Sequence, residues 1–309
     1  MTAQTVAADT DVPRMRFHDV HSADGTRLRA WSNGADGPTV LLCNGLGTNP
    51  YAWPGFLSPD CGVHVISWNH RGVGGSERPS DRGRVSMDVF VEDALAVLDD
   101  AGIESCVVVG WSMGVNLAFE LATLHPERVE GLLAVAGVPG DTFATMLGPL
   151  HLPAPIARRV TVGSAWAMFA AGKALSVVTK RLPWNAVTTK LLRHSGFMLP
   201  AAPDAVVREA VREFLTTDVD WYMHLAIHAS RHPRVSLSRI DVPATFISGH
   251  WDVLAGARSM ATAAERMADA HVVDLPGSHF LPMEHPEQIR TELLALLDRV
   301  RDDDLTYSP

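Results

Sequence analysis

Ser112 stands in the run Gly110-Trp111-Ser112-Met113-Gly114, after the β-branched stretch Val107-Val108-Val109 and before a helix-compatible stretch beginning at Val115. A serine on a sharp strand-to-helix turn projects its hydroxyl clear of both elements, and such a turn needs the small neighbours that Gly110 and Gly114 supply. A serine hydroxyl is a weak nucleophile until a base takes its proton. His279 is the candidate base: it follows the expected strand 271–275 and the turn Pro276-Gly277-Ser278, which puts it at the end of a late strand. Thirteen other histidines compete for the role, but His279 is the one that closely follows the final expected strand. The histidine in turn needs a carboxylate to fix its tautomer and stabilise its cation. Asp252, in Gly249-His250-Trp251-Asp252 just past the apolar run 244–248, is favoured; Asp141 is the rival. The chemistry these three could perform is attack on a carbonyl carbon through a covalent intermediate. The oxyanion formed would need two preorganised N–H donors, each contributing about 2.7–4 kcal/mol to the transition state. Met113 N–H, at a helix start, is one. Leu46 N–H, in the loop Asn44-Gly45-Leu46-Gly47, is the other.

These residues must be carried to one edge of a sheet. Residues 15–20 and 27–32 alternate in polarity around Asp24-Gly25, a hairpin signal. Residues 39–43, 63–68, 107–109 and 132–138 are short, mostly apolar runs, as expected of strands covered on both faces. Ser86 can cap a helix over 87–100. Helices are also expected over 257–267 and 287–300, around a strand at 271–275. Alternating strands and helices imply an α/β fold with a mostly parallel sheet flanked by helices. The rhythm breaks between about 140 and 235, a proline-punctuated stretch read as several short helices inserted into the sheet domain. The expected organisation is a lead-in at 1–14, a core at 15–139 and 236–300, a helical cap at 140–235, and a tail at 301–309.

With 26 Lys and Arg against 35 Asp and Glu, the formal net charge is −9, which argues against nucleic acid as a partner. The cysteines Cys43, Cys61 and Cys106 show no C-x-x-C spacing and read as buried, reduced side chains of a cytoplasmic protein. The first eleven residues lack the basic start and apolar core of a secretory signal. No spanning helix is expected, because the most apolar stretch, 165–178, is interrupted by Gly172-Lys173. His224, His228 and His232 are spaced four apart, which a helix would bring to one face, but Pro233 follows and no carboxylate or cysteine partner is evident; a lid helix with polar edges is the better reading and no metal is assigned. Glycines 72, 74 and 75 lack the lysine of a phosphate loop, and no cofactor is assigned.

The Asn44 to Gly47 loop, His70-Arg71-Gly72-Val73-Gly74-Gly75-Ser76, the Gly110 to Gly114 turn, Gly249-His250-Trp251-Asp252 and Gly277-Ser278-His279 with Glu284-His285-Pro286-Glu287 together resemble the α/β-hydrolase family over nearly the whole chain. The resemblance implies an eight-stranded sheet, a helical lid after the sixth strand, and the chain order nucleophile, acid, histidine that Ser112, Asp252 and His279 follow. Asn44 departs from the histidine that many members carry there. The glycine-rich loops are also similar to those of intracellular polyhydroxyalkanoate depolymerases. Dehalogenases and epoxide hydrolases of this fold use an aspartate nucleophile, where this chain has Ser112. The expectation is a serine hydrolase acting on small apolar esters, with Trp111, Phe280 and Trp166 as pocket candidates. A C–C bond hydrolase, an acyltransferase and a non-enzymatic ligand-binding protein are the alternatives.

Overall fold

The β-branched run before Ser112 is wholly buried because it forms β5 (Cys106–Trp111), an interior strand of an eight-stranded sheet ordered β1-β2-β4-β3-β5-β6-β7-β8. The computed structural model describes residues 15–146 and 153–307, so the expected lead-in at 1–14 lies outside the described residues. The antiparallel strands β1 (Arg16–His21) and β2 (Arg27–Ser32) form one edge. Their connection uses Gly25 at φ +80°, with Thr26 N–H donating to the Asp24 carboxylate. Strand β2 pairs antiparallel with β4 (His64–Trp68). From there β3 (Thr39–Cys43), β5, β6 (Val129–Val135), β7 (Ala244–Gly249) and β8 (Ala270–Leu275) run parallel.

Successive side chains of a strand point to opposite faces. Leu41, Cys43 and Val108 accordingly join one core cluster and Val40, Leu42, Val107 and Val109 the other, so β5 and β3 from Val40 onward are apolar on both faces. The first face is covered by α1 (Met87–Asp100), α2 (Met113–Leu124) and α8 (Ala257–Ala264), the second by α10 (Pro286–Tyr307). Ser86 precedes α1 as expected, but its hydroxyl makes no capping bond. Helix α10 continues through Asp302-Asp303-Asp304, where a tail was expected.

Between β6 and β7 the described residues form only helices: α3 (Thr142–Thr145), α4 (Ala154–Arg181), α5 (Ala186–Arg193), α6 (Asp204–Phe214) and α7 (Val219–Ala229). Helices α6 and α7 are fastened to the sheet domain. Trp221 is fully buried and its indole N–H donates to Arg71 O at 2.8 Å; Asn49 Nδ2 donates to Ala210 O at 2.9 Å. The insertion was expected as several short helices, but α4 runs unbroken for 28 residues through Gly172-Lys173. A Cβ at Gly172 would lie 2.6 Å from the Asp220 backbone, so this glycine lets α4 approach α7 closely rather than ending the helix. By length and composition alone the segment Pro155–Arg181 could cross a membrane. One further helix, α9 (Leu281–Glu284), precedes α10.

Candidate active site

The register between β3 and β5 pairs Cys43 with Gly110, so the loops after these two strands emerge side by side at the carboxyl edge. The turn after β5 is forced by close packing. A Cβ at Gly114 would lie 1.9 Å from Cys43 O, and one at Gly110 would lie 2.6 Å from Gly114 O. Between them Ser112 takes φ 56°, ψ −118°, a conformation that costs an L-residue about 1–3 kcal/mol and that its surroundings must hold in place. One restraint is Ser112 N–H, which donates to Val135 O of β6 at 3.0 Å.

His279, on the loop after β8, brings Nε2 to 2.8 Å from Ser112 Oγ. Its Nδ1 lies 2.9 Å from Asp252 Oδ2, on the loop after β7. Both His279 and Asp252 are buried. The second Asp252 oxygen accepts from Leu254 N–H at 2.7 Å and Ala255 N–H at 2.8 Å, which fixes the carboxylate plane. Such a chain of contacts can move a proton from the hydroxyl to the ring while the carboxylate steadies the charge left there. Asp141 is elsewhere, at φ 50° before α3, with its carboxylate 3.9 Å from Arg158.

The family model of the α/β hydrolase fold matches residues 38–286. The chain belongs to the α/β-hydrolase family. This α/β hydrolase is 26% identical to epoxide hydrolase A of Mycobacterium tuberculosis over 314 residues, covering 89% of this chain and 95% of that one. Over 132 residues it is 38% identical to 2-hydroxymuconate semialdehyde hydrolase of Pseudomonas putida, covering 41% and 45%. A solved hydrolase from Pseudomonas aeruginosa PA01 superimposes with a TM-score of 0.70 at 22% identity, over 91% of this chain and 98% of that one.

Several supports of the hydrolase site were not apparent from sequence. Asn44, the departure noted above, is buried: its amide donates to Ser67 Oγ at 3.0 Å and to Trp68 O at 3.2 Å, and its carbonyl accepts from Trp53 Nε1 at 3.0 Å. The side chain thus ties the Gly45-Leu46-Gly47 loop to β4. Leu46 N–H and Met113 N–H donate to no acceptor among the described residues. Glu284 is buried and accepts from Ser278 N–H at 2.7 Å, Ser278 Oγ at 2.6 Å and Leu199 N–H at 2.7 Å. In the sequence Glu284 stood within the Glu284-His285-Pro286-Glu287 segment of the family resemblance, but nothing there assigned it to Ser278 or Leu199.

Trp111 is buried, and its indole N–H donates to His279 O at 2.9 Å. The Phe280 ring stands edge-on to the His279 ring at 5.9 Å and meets Phe197 of the insertion at 5.1 Å. Trp166 is not brought to this group: it is half-exposed on α4 and borders a cavity of about 700 Å³ whose walls include Asp141, Arg158, Arg159 and Arg231. Of the three spaced histidines, only His224 and His228 stay together, with ring centroids 4.6 Å apart on α7. His224 Nε2 donates to Arg82 O at 2.7 Å, while His232 lies beyond the end of α7. No group of three or more potential metal ligands occurs among the described residues.

His70 and Arg71 serve the framework. Arg71 is fully buried, with its guanidinium on Asp93 at 2.6 Å and on Ser22 at 2.9 Å, and Asp24 also paired to it. Burial opposes the Asp24 charge, but hydrogen bonds from Arg71 and Thr26 outweigh it and hold the carboxyl well below its ordinary range. His70 packs edge-on against Phe90 with both ring nitrogens unpartnered, and burial pushes its pKa down to about 4.

Proposed function

We propose that this hydrolase cleaves carboxylic esters with apolar acyl groups, using Ser112 as nucleophile, His279 as base and then acid, and Asp252 as the orienting carboxylate. One observation carries the reading: the 2.8 Å and 2.9 Å contacts that link Ser112 Oγ, His279 and Asp252 at a strained strand-to-helix turn. As Ser112 Oγ bonds to the ester carbonyl carbon, its proton passes to His279 Nε2. The carbonyl oxygen becomes an oxyanion and receives the Leu46 and Met113 N–H groups. Collapse of this intermediate breaks the C–O bond, and the departing alkoxide takes the proton from His279. Water, deprotonated by His279, attacks the acyl carbon, and Ser112 leaves with that proton as the acid is released. The step requires neither metal nor cofactor. Helices α3–α7 are read as a cap, and Phe280 with Phe197 as an apolar wall beside the nucleophile. The buried, reduced cysteines fit a cytoplasmic location.

The test is hydrolysis of p-nitrophenyl esters of graded chain length by the wild type and Ser112→Ala, with fluorophosphonate labelling. The expected result is labelling at Ser112, turnover that rises with acyl length, and loss of both in the variant. An unlabelled Ser112, or undiminished turnover in Ser112→Ala, refutes the reading.

The 38% identity to a 2-hydroxymuconate semialdehyde hydrolase over 41% of the chain favours C–C bond hydrolysis as a second reading. A vinylogous keto-acid substrate, assayed beside the esters, separates them by the ratio of kcat/KM values.

A further inference from the structure

Helix α4 is held to the protein by a narrow stripe of small residues. Ala157, Ala165, Gly172 and Ser176 are buried, and Ser176 Oγ accepts from Val219 N–H of α7 at 2.8 Å. At about 100° per residue, the opposite face presents Ile156, Val160, Ala167, Ala170, Ala174 and Val178, all exposed. Ten of the fourteen large apolar side chains that are exposed among the described residues fall between Ile156 and Phe197. Val178 is 57% exposed, and Val187 and Leu191 of α5 are 67% and 68% exposed. An apolar surface of this extent, concentrated on α4, α5 and the segments that follow them, marks a contact surface.

Charge tells which partner it fits. Residues 142–203 contain seven Lys and Arg and no Asp or Glu, in a chain whose formal net charge is −9. All 35 acidic residues therefore lie outside this segment, with nineteen of the basic ones. Arg159, Lys173, Arg181 and Lys190 make no ion pair among the described residues. A second copy of this face would bring like charges together. An anionic lipid surface would instead attract the segment and repel the rest of the molecule, which also sets its orientation. Apolar residues flanked by Lys and Arg are the composition of helices that lie in a membrane interface.

We propose that the outer face of α4, together with α5, seats on the surface of an anionic phospholipid bilayer. The helix lies in the interface and does not span, because Gly172 and Ser176 keep it against α7 and Lys180 pairs with Asp218 at 2.6 Å. The inference is independent of which bond Ser112 attacks.

The test is co-sedimentation of the full chain with vesicles of equimolar phosphatidylcholine and phosphatidylglycerol, and with phosphatidylcholine alone. The expected result is binding to the mixed vesicles, at least tenfold weaker binding to the neutral ones, and release in 1 M salt, where the screening length is about 3 Å. The combined change Arg159→Gln, Lys173→Gln and Arg181→Gln should weaken binding roughly 100-fold, at about fivefold per basic residue. Val177→Ser with Val178→Ser should weaken it roughly tenfold or more. Both variants should keep the wild-type melting curve and hydrolysis of a soluble ester, since the changed side chains face solvent. Failure of the wild type to bind mixed vesicles, equal binding to neutral ones, or wild-type binding by the variants overturns the proposal. A concentration-dependent dimer without vesicle binding assigns the face to a second copy and overturns it too.

Discussion

Glu284 grips Ser278 twice, accepting its backbone N–H at 2.7 Å and its hydroxyl at 2.6 Å, one residue before His279. The same carboxylate accepts Leu199 N–H from the insertion. It therefore couples the loop that carries the histidine to the segment between α5 and α6. Replacing Glu284 with Ala would leave three donors without their partner, at a cost of about 3 kcal/mol or more. Glu284→Gln keeps the shape and one acceptor, so its loss should be intermediate. Denaturant melts check the order, and ester hydrolysis should lose kcat more than it gains KM. An unchanged melt for Glu284→Ala would contradict this account.

Ser112 opposes stability and activity. Its positive φ suits glycine, so Ser112→Gly should be more stable than Ser112→Ala by about 1–2 kcal/mol, with both inactive. Paired thermal melts of the two variants measure the difference. Equal stability would mean that the turn stores no strain.

The acid can be assigned by substitution. Asp252→Asn removes the acceptor that holds His279 Nδ1–H, and kcat should fall by roughly 10³–10⁴-fold. Asp141→Asn should leave kcat within about twofold, because its carboxylate lies beside Arg158 rather than the histidine. The reverse pattern in ester turnover would reassign the role.

His70 makes stability depend on pH. Above pH 6.5 the ring is neutral in both the folded and unfolded chain. Between 6.5 and about 4 the unfolded ring takes a proton that the buried one refuses, so stability is lost as pH falls through that window. The loss reaches about 3 kcal/mol at pH 4, at 1.36 kcal/mol per pH unit. His70→Leu should flatten the slope of unfolding free energy over this range, as urea titrations at stepped pH would reveal. It should also raise stability at pH 7, since it removes a buried donor with no acceptor.

The pattern of residues alone determined the sheet and its order of use. Short apolar runs bounded by turn residues mark the interior strands, because burial on both faces favours apolar side chains. From the same runs it followed that Ser112, Asp252 and His279 each stand just past a strand, hence at one edge. Strand and helix ends were legible only to within a few residues. Several short helices were expected over 140–235, yet α4 runs 28 residues through Gly172-Lys173, since a glycine's effect on a helix depends on what packs against it.

Tertiary structure alone decided the rest. That Asn44 braces a loop, that Glu284 reaches both Ser278 and Leu199, and that Trp166 lines the cavity beside Asp141 and Arg158 depend on contacts between residues far apart in sequence. Periodicity reports which face of an element is apolar. It does not report which element covers that face, and on α4 none among the described residues does.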